Sequence, residues 1–90
     1  MTMLDIQPSA TLRRQDVVAM NTNMILSNSG LMKKDLAKAM GLSPQSMASR
    51  LQSKADWTID ETCAAADFFG VPLMALLDEN LTPAKAMEYI

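Results

Sequence analysis

Apolar side chains recur at spacings of three and four residues along most of the chain, and glycine, proline and capping residues separate the runs. This period is that of an amphipathic helix, whereas no segment alternates with the period of two that is typical of a strand. The first helix is predicted from about Ala10 to Asn28, with Val17, Met20 and Met24 on its apolar stripe. Gly30 is its expected C-terminal stop.

A second and a third short helix are predicted on either side of Gly41. The second covers Lys33 to Met40 and ends at Gly41, because glycine readily takes the positive φ that stops a helix. The third follows Ser43, whose hydroxyl can cap free backbone N–H groups, and it begins at Pro44, where a missing N–H is harmless. It extends to about residue 52.

Three further helical segments follow. The fourth begins with a capping box made by Thr58 and Glu61, and it ends at Gly70. Its inner face is predicted to consist of Ile59, Thr62, Ala65, Ala66 and Phe69. A fifth helix opens at Pro72, and a short sixth turn is expected over residues 82–89. The predicted fold class is therefore all-α, a compact five-helix domain with a short extra C-terminal helix.

Composition narrows the possible functions. The 90 residues are 49% apolar, which is enough for one small core, and they contain a single cysteine, Cys63, and no histidine. Disulfide scaffolds, zinc fingers and Ser–His or Cys–His catalytic pairs are thereby excluded. We expect no enzymatic activity, no cofactor, no metal and no small-molecule substrate.

The chain as a whole predicts a single folded unit and no membrane partner. Its apolar runs fall short of the ~20 residues of a membrane span, and its first residues do not resemble a signal peptide. We therefore expect a cytoplasmic location. Residues 1–9 are expected to form a disordered N-terminal segment, residues 10–80 the domain, and residues 81–90 a C-terminal extension.

Charge is distributed unevenly along the chain, although the formal net charge is only −2. Residues 1–54 hold seven basic and three acidic side chains, whereas residues 55–90 hold one basic and seven acidic ones. Such asymmetry allows one face to meet a polyanion while the whole molecule stays acidic. A nucleic-acid partner is therefore compatible with the composition.

The stretch from Lys33 to Leu51, KKDLAKAMGLSPQSMASRL, has the features of a helix-turn-helix. Ala37 is small where the two helices must cross closely, and Leu42 is placed to plug the core beneath the turn at Gly41. Met47 is expected to anchor the third helix from inside.

These residues, together with TIDETCAAADFFGVPLMALL farther along, resemble the lambda-repressor-like helix-turn-helix family of Cro and repressor proteins. The resemblance covers roughly residues 17–78. Within the family, the chain is similar in particular to immunity repressors and Cro-like regulators of actinobacterial phages. It implies binding to double-stranded DNA, in a bacterium or an infected host cell. Lys33 stands where the family often has a glutamine that contacts a phosphate, and Ser53 replaces a frequent glycine.

Helical geometry assigns the candidate DNA contacts. If Met47 and Leu51 face inward, the opposite face of the third helix turns outward. The candidate base-reading residues on that face are Gln45, Ser46, Ser49 and Arg50. The candidate phosphate contacts, which lie on either side of the helix, are Lys33, Lys34, Ser43, Ser53 and Lys54.

The sequence therefore predicts a sequence-specific transcriptional regulator, a phage repressor or Cro-like protein, with residues 44–52 in the major groove. The alternative is a protein-interaction module on the same scaffold, of the antitoxin or antirepressor kind, that uses its acidic face. A homodimer is a further expectation, because apolar residues such as Leu81, Tyr89 and Ile90 exceed what one small core needs.

Overall fold

The computed structural model describes residues 13–90, and every regular element in this range is an α-helix. The all-α prediction is thereby confirmed. The expected disordered segment over residues 1–9 and the expected helix start near Ala10 lie outside the described residues. The helices are α1 (Arg14–Ser29), α2 (Lys33–Met40), α3 (Pro44–Leu51), α4 (Ile59–Phe69), α5 (Leu73–Leu76) and α6 (Pro83–Tyr89).

Local sequence signals set the ends of the middle helices. Ser43 Oγ accepts the Ser46 N–H at 3.2 Å at the start of α3, and Thr58 Oγ1 accepts the Glu61 N–H at 3.0 Å at the start of α4. Gly41 ends α2 with a φ of 72°. A Cβ at Gly41 would meet open space, so the need for glycine there is one of backbone conformation alone. Both predicted caps and the positive φ are confirmed.

Helix α1 packs against α3, α4, α5 and α6, while α2 packs against α3 and α4, and α4 packs against α5. Met47 is 1% exposed and anchors α3 from inside, as predicted. Leu42 and Trp57 are partly buried against the core. The buried cluster consists of Ile25, Leu36, Ala37, Met40, Met47, Leu51, Ala65, Ala66, Phe69, Val71, Ala75, Leu76, Leu81 and Ala86.

The inner face of α1 differs from the predicted stripe. Met20 is 47% exposed, whereas Asn21 and Thr22 are buried. The Asn21 Nδ2 group donates to Leu76 O at 2.9 Å and to Asp78 O at 2.8 Å, so a polar side chain joins α1 to the end of α5. Placing Met20 in the core was wrong because hydropathy alone cannot recognise a buried amide whose partners lie more than 50 residues away.

The N-terminal end of α4 and the C-terminal segment also differ from expectation. Ile59 has the angular position of an inner residue, but it is the first residue of α4 and is 75% exposed, so its predicted burial was wrong. Leu81 and Ala86 are buried in the core, and α6 packs on α1. Residues 81–90 are therefore part of the packed unit. Within residues 13–90, no helix is both long enough and apolar enough to cross a membrane.

Candidate nucleic-acid interface

The segment from Lys33 to Leu51 folds as two eight-residue helices joined by the turn at residues 41–43. The Leu42 N–H donates to Ala37 O at 2.8 Å, and the Gly41 N–H donates to Lys38 O at 3.1 Å. These bonds satisfy the last carbonyls of α2 and close the turn tightly. These backbone bonds fix the path of the chain as it leaves α2, and core packing through Met47 then holds α3.

Three of the predicted base-reading residues lie on α3 away from its buried residues. Gln45 is exposed in the first turn, and Ser46 and Ser49 are half-buried. The Ser43 hydroxyl lies 3.1 Å from the Ser46 hydroxyl, so the capping residue and the first turn of α3 share a polar contact. The exposed start of α3 thus presents one long amide and two hydroxyls, groups that can donate to and accept from base edges.

Arg50 does not lie free on this face. Its Nε and Nη2 atoms donate to Glu61 Oε1 and Oε2 at 2.8 and 3.1 Å, and its side chain is only 18% exposed. The expectation of an outward-facing Arg50 was therefore wrong. The physical reason is that Glu61 of α4, 11 positions later, offers the guanidinium a bidentate carboxylate partner.

Glu61 is held in its charged form. Burial alone would raise the pKa of its carboxyl, but hydrogen bonds from Arg50 and from the Thr58 backbone, together with the Arg50 charge, outweigh burial and lower that pKa. The ion pair therefore persists at neutral pH. This partner was missed at the sequence level, where the only signal was the position of Glu61 in the capping box.

The lysines around α2 and α3 are placed differently from the other cations. Within residues 13–90, every salt bridge uses Arg13, Arg14, Arg50 or Lys85. The cations without such a partner in that range are Lys33, Lys34, Lys38 and Lys54, and all four are exposed. Sequence reasoning did not assign Lys38 a role. It lies four residues after Lys34 on α2, and this spacing, which places both on one helix side, could have indicated it.

A groove of about 220 Å³ lies between the two helices of this motif. It is lined by Lys33, Lys34, Ala37, Pro44 and Met47. The N-cap of α2 is a methionine, which provides no side-chain oxygen for the first backbone N–H groups of the helix. Lys33 and Lys34 thus lie in the first turn of α2, at the positive end of its dipole, a placement that favours anions.

The two serines predicted to contact phosphates lie at opposite ends of α3. Ser43 uses its Oγ as the cap of α3. Ser53 follows α3 with a φ of 60°, the only positive φ outside glycine among the described residues. A residue with a Cβ rarely adopts this conformation, so Ser53 carries backbone strain that a glycine would not.

Comparisons with protein-family models, with curated proteins and with solved structures give no match to this chain. The resemblance to the lambda-repressor-like family therefore stays a prediction, carried by the residues of the motif.

Proposed function

We propose that this protein is a sequence-specific double-stranded DNA-binding transcriptional regulator of the helix-turn-helix kind, with α3 as its recognition helix. One observation carries the proposal. All four lysines that lack an ion pair within residues 13–90 lie on α2 or three residues after the end of α3, whereas the other described cations are paired with carboxylates. An acidic protein thereby keeps the positive charge that is not ion-paired near the helix-turn-helix, whose third helix is exposed at its first turn.

The proposed contacts follow from this placement. Gln45, in the first turn of α3, can pair with both hydrogen-bonding positions of an adenine, and Ser46 and Ser49 can contact base edges or the backbone. Lys33, Lys34, Lys38 and Lys54 serve as phosphate contacts. Arg50 is left out of the base-reading set, because Glu61 occupies its guanidinium. The proposal requires no cofactor, no metal and no catalytic step.

The biological setting belongs to the same proposal. The resemblance supports a phage repressor or Cro-like regulator that acts in the cytoplasm of a bacterium or an infected cell. Two copies bound to half-sites about 34 Å apart would double the number of phosphate contacts.

Salt-dependent binding tests the proposal. With four available lysines per copy, the logarithm of the association constant for a duplex is expected to fall with the logarithm of salt concentration with a slope of roughly −3 to −4 per bound copy. Lys33→Ala should make this slope shallower by about one unit and weaken all duplexes alike. Fluorescence anisotropy titrations at several salt concentrations give the slope.

The matched control is Lys85→Ala, because the Lys85 ammonium is paired with Asp78 at 3.4 Å. Its slope should equal that of the wild type. Binding that is independent of salt, or equal losses in the two variants, would contradict the assignment of the lysine surface.

Gln45→Ala tests sequence recognition. A duplex selected from a randomised pool by the wild-type protein should bind the variant about 1–3 kcal/mol more weakly, because one bidentate base contact is lost. A scrambled duplex of equal length should bind both proteins equally, since its affinity depends on phosphate contacts. Equal weakening on both duplexes, or on neither, would remove Gln45 from the recognition surface.

A protein-interaction module is the second candidate, and an apolar groove favours it. Met74 and Tyr89 are 70% and 42% exposed and help to line a groove of about 340 Å³ beside Asp78. A groove lined mostly by apolar side chains, with one carboxylate among them, suits a protein partner or a second copy of the chain. In that case Met74→Asp should abolish complex formation in sedimentation experiments, whereas Lys33→Ala should not.

A further inference from the structure

The Glu61 carboxylate serves two helices at once. Oε1 accepts the Thr58 backbone N–H at 3.1 Å, which completes the capping box of α4, and it also accepts Arg50 Nε at 2.8 Å. Oε2 accepts Arg50 Nη2 at 3.1 Å. One side chain thus caps the start of α4 and forms an ion pair with the last turn of α3.

The arginine continues this connection into α3. Arg50 Nη1 donates to Ser46 O at 3.4 Å, one turn earlier, and the Arg50 carbonyl accepts the Trp57 Nε1–H at 3.1 Å. The side chains of Arg50 and Glu61 are 18% and 13% exposed, so salt screens their attraction less than that of a surface pair. The planar guanidinium also constrains the direction of the Arg50 side chain, because Nε and Nη2 must both meet one carboxylate.

We propose that Glu61 is a positioning residue for DNA recognition: through Arg50 it holds α3 at one orientation, and it withholds the Arg50 charge from DNA. This inference rests on the proposed function, although Glu61 itself belongs to α4 and lies outside the predicted recognition surface. A base contact requires tight control of angle and position, whereas a phosphate contact tolerates a looser arrangement. Loss of the Arg50–Glu61 ion pair therefore affects discrimination between sequences more than total affinity.

Glu61→Gln separates the two roles of the side chain. Glutamine at this position can still complete a capping box, but it carries no charge for Arg50. The ratio of affinities for the selected and scrambled duplexes should fall about tenfold, which is within the usual effect of one disturbed base contact. The freed guanidinium adds an available cation, so the slope against salt on the scrambled duplex should become steeper by about 0.9.

Two further variants complete the experiment. Arg50→Gln should lower the affinity ratio by a similar factor without making the slope steeper, because it removes the cation instead of freeing it. Glu79→Gln is the matched control, because it removes a carboxylate partner from Arg14, which begins α1 and contacts Leu77 O and Glu79 rather than α3. It should change neither quantity.

Thermal melts decide between positioning and simple destabilisation. If Glu61→Gln is folded and its affinity ratio is unchanged, the inference is overturned. The inference is also overturned if the variant loses affinity equally for both duplexes, by an amount that matches its unfolded fraction. If Glu61→Gln does not fold at the assay temperature, Arg50→Gln decides by the same ratio. If the wild type shows no salt-dependent binding to a duplex, the proposed function and this inference are overturned together. If the wild type binds but the variants keep its affinity ratio, only this inference is overturned.

Discussion

Met47→Ala is expected to lower the free energy of unfolding by about 2–5 kcal/mol, the usual cost of truncating a large buried side chain. Met47 is 1% exposed and belongs to the core that joins α3 to the rest of the domain. The substitution leaves a cavity beneath the recognition helix that the surrounding side chains fill only in part. Urea denaturation followed by circular dichroism measures the loss.

Two variants control this prediction. Met74→Ala makes the same chemical change at a side chain that is 70% exposed, and it should alter stability by less than about 0.5 kcal/mol. Met47→Leu keeps most of the volume and should cost less than about 1.5 kcal/mol. Duplex binding by Met47→Ala should fall at least in proportion to its unfolded fraction. A stability equal to that of the wild type would contradict the assigned core position.

Asn21→Leu is expected to destabilise the domain by about 2–4 kcal/mol, although it makes the helix more apolar. Asn21 is 1% exposed, and its Nδ2 group donates to carbonyls at the end of α5, including Leu76 O and Asp78 O. Leucine supplies no donor, and each buried carbonyl left without a partner costs about 1–3 kcal/mol. Thermal or denaturant unfolding of the purified variant measures the effect.

Asn28→Leu is the matched control on the same helix. The Asn28 side chain is exposed and donates to Met24 O within α1. Its replacement should change stability by less than about 0.5 kcal/mol. If Asn21→Leu instead stabilises the protein, as hydropathy alone predicts, then the amide does not join α1 to α5.

The candidate interface was partly predictable. The helix-turn-helix was located from Gly41, Ser43 and Pro44, because caps and turns depend on chemistry within a few residues. The outward position of Gln45 followed from helical periodicity once Met47 was assigned to the core. Arg50 could not be assigned in this way, since periodicity gives the direction of a side chain but not the charged group that it will meet.

The sequence by itself determined the all-α class, the ends of the middle helices and the burial of Met47, all of which depend on local hydrogen bonds and on a repeating apolar pattern. Only the tertiary structure decided that Arg50 pairs with Glu61, that Asn21 is buried and that Ile59 is exposed. It also decided that residues 81–90 pack on α1. The physical reason is that these outcomes depend on partners supplied by other helices. A charge or an amide enters a core only where the fold brings a matching group within hydrogen-bond distance, and an apolar side chain is buried only where another helix covers it.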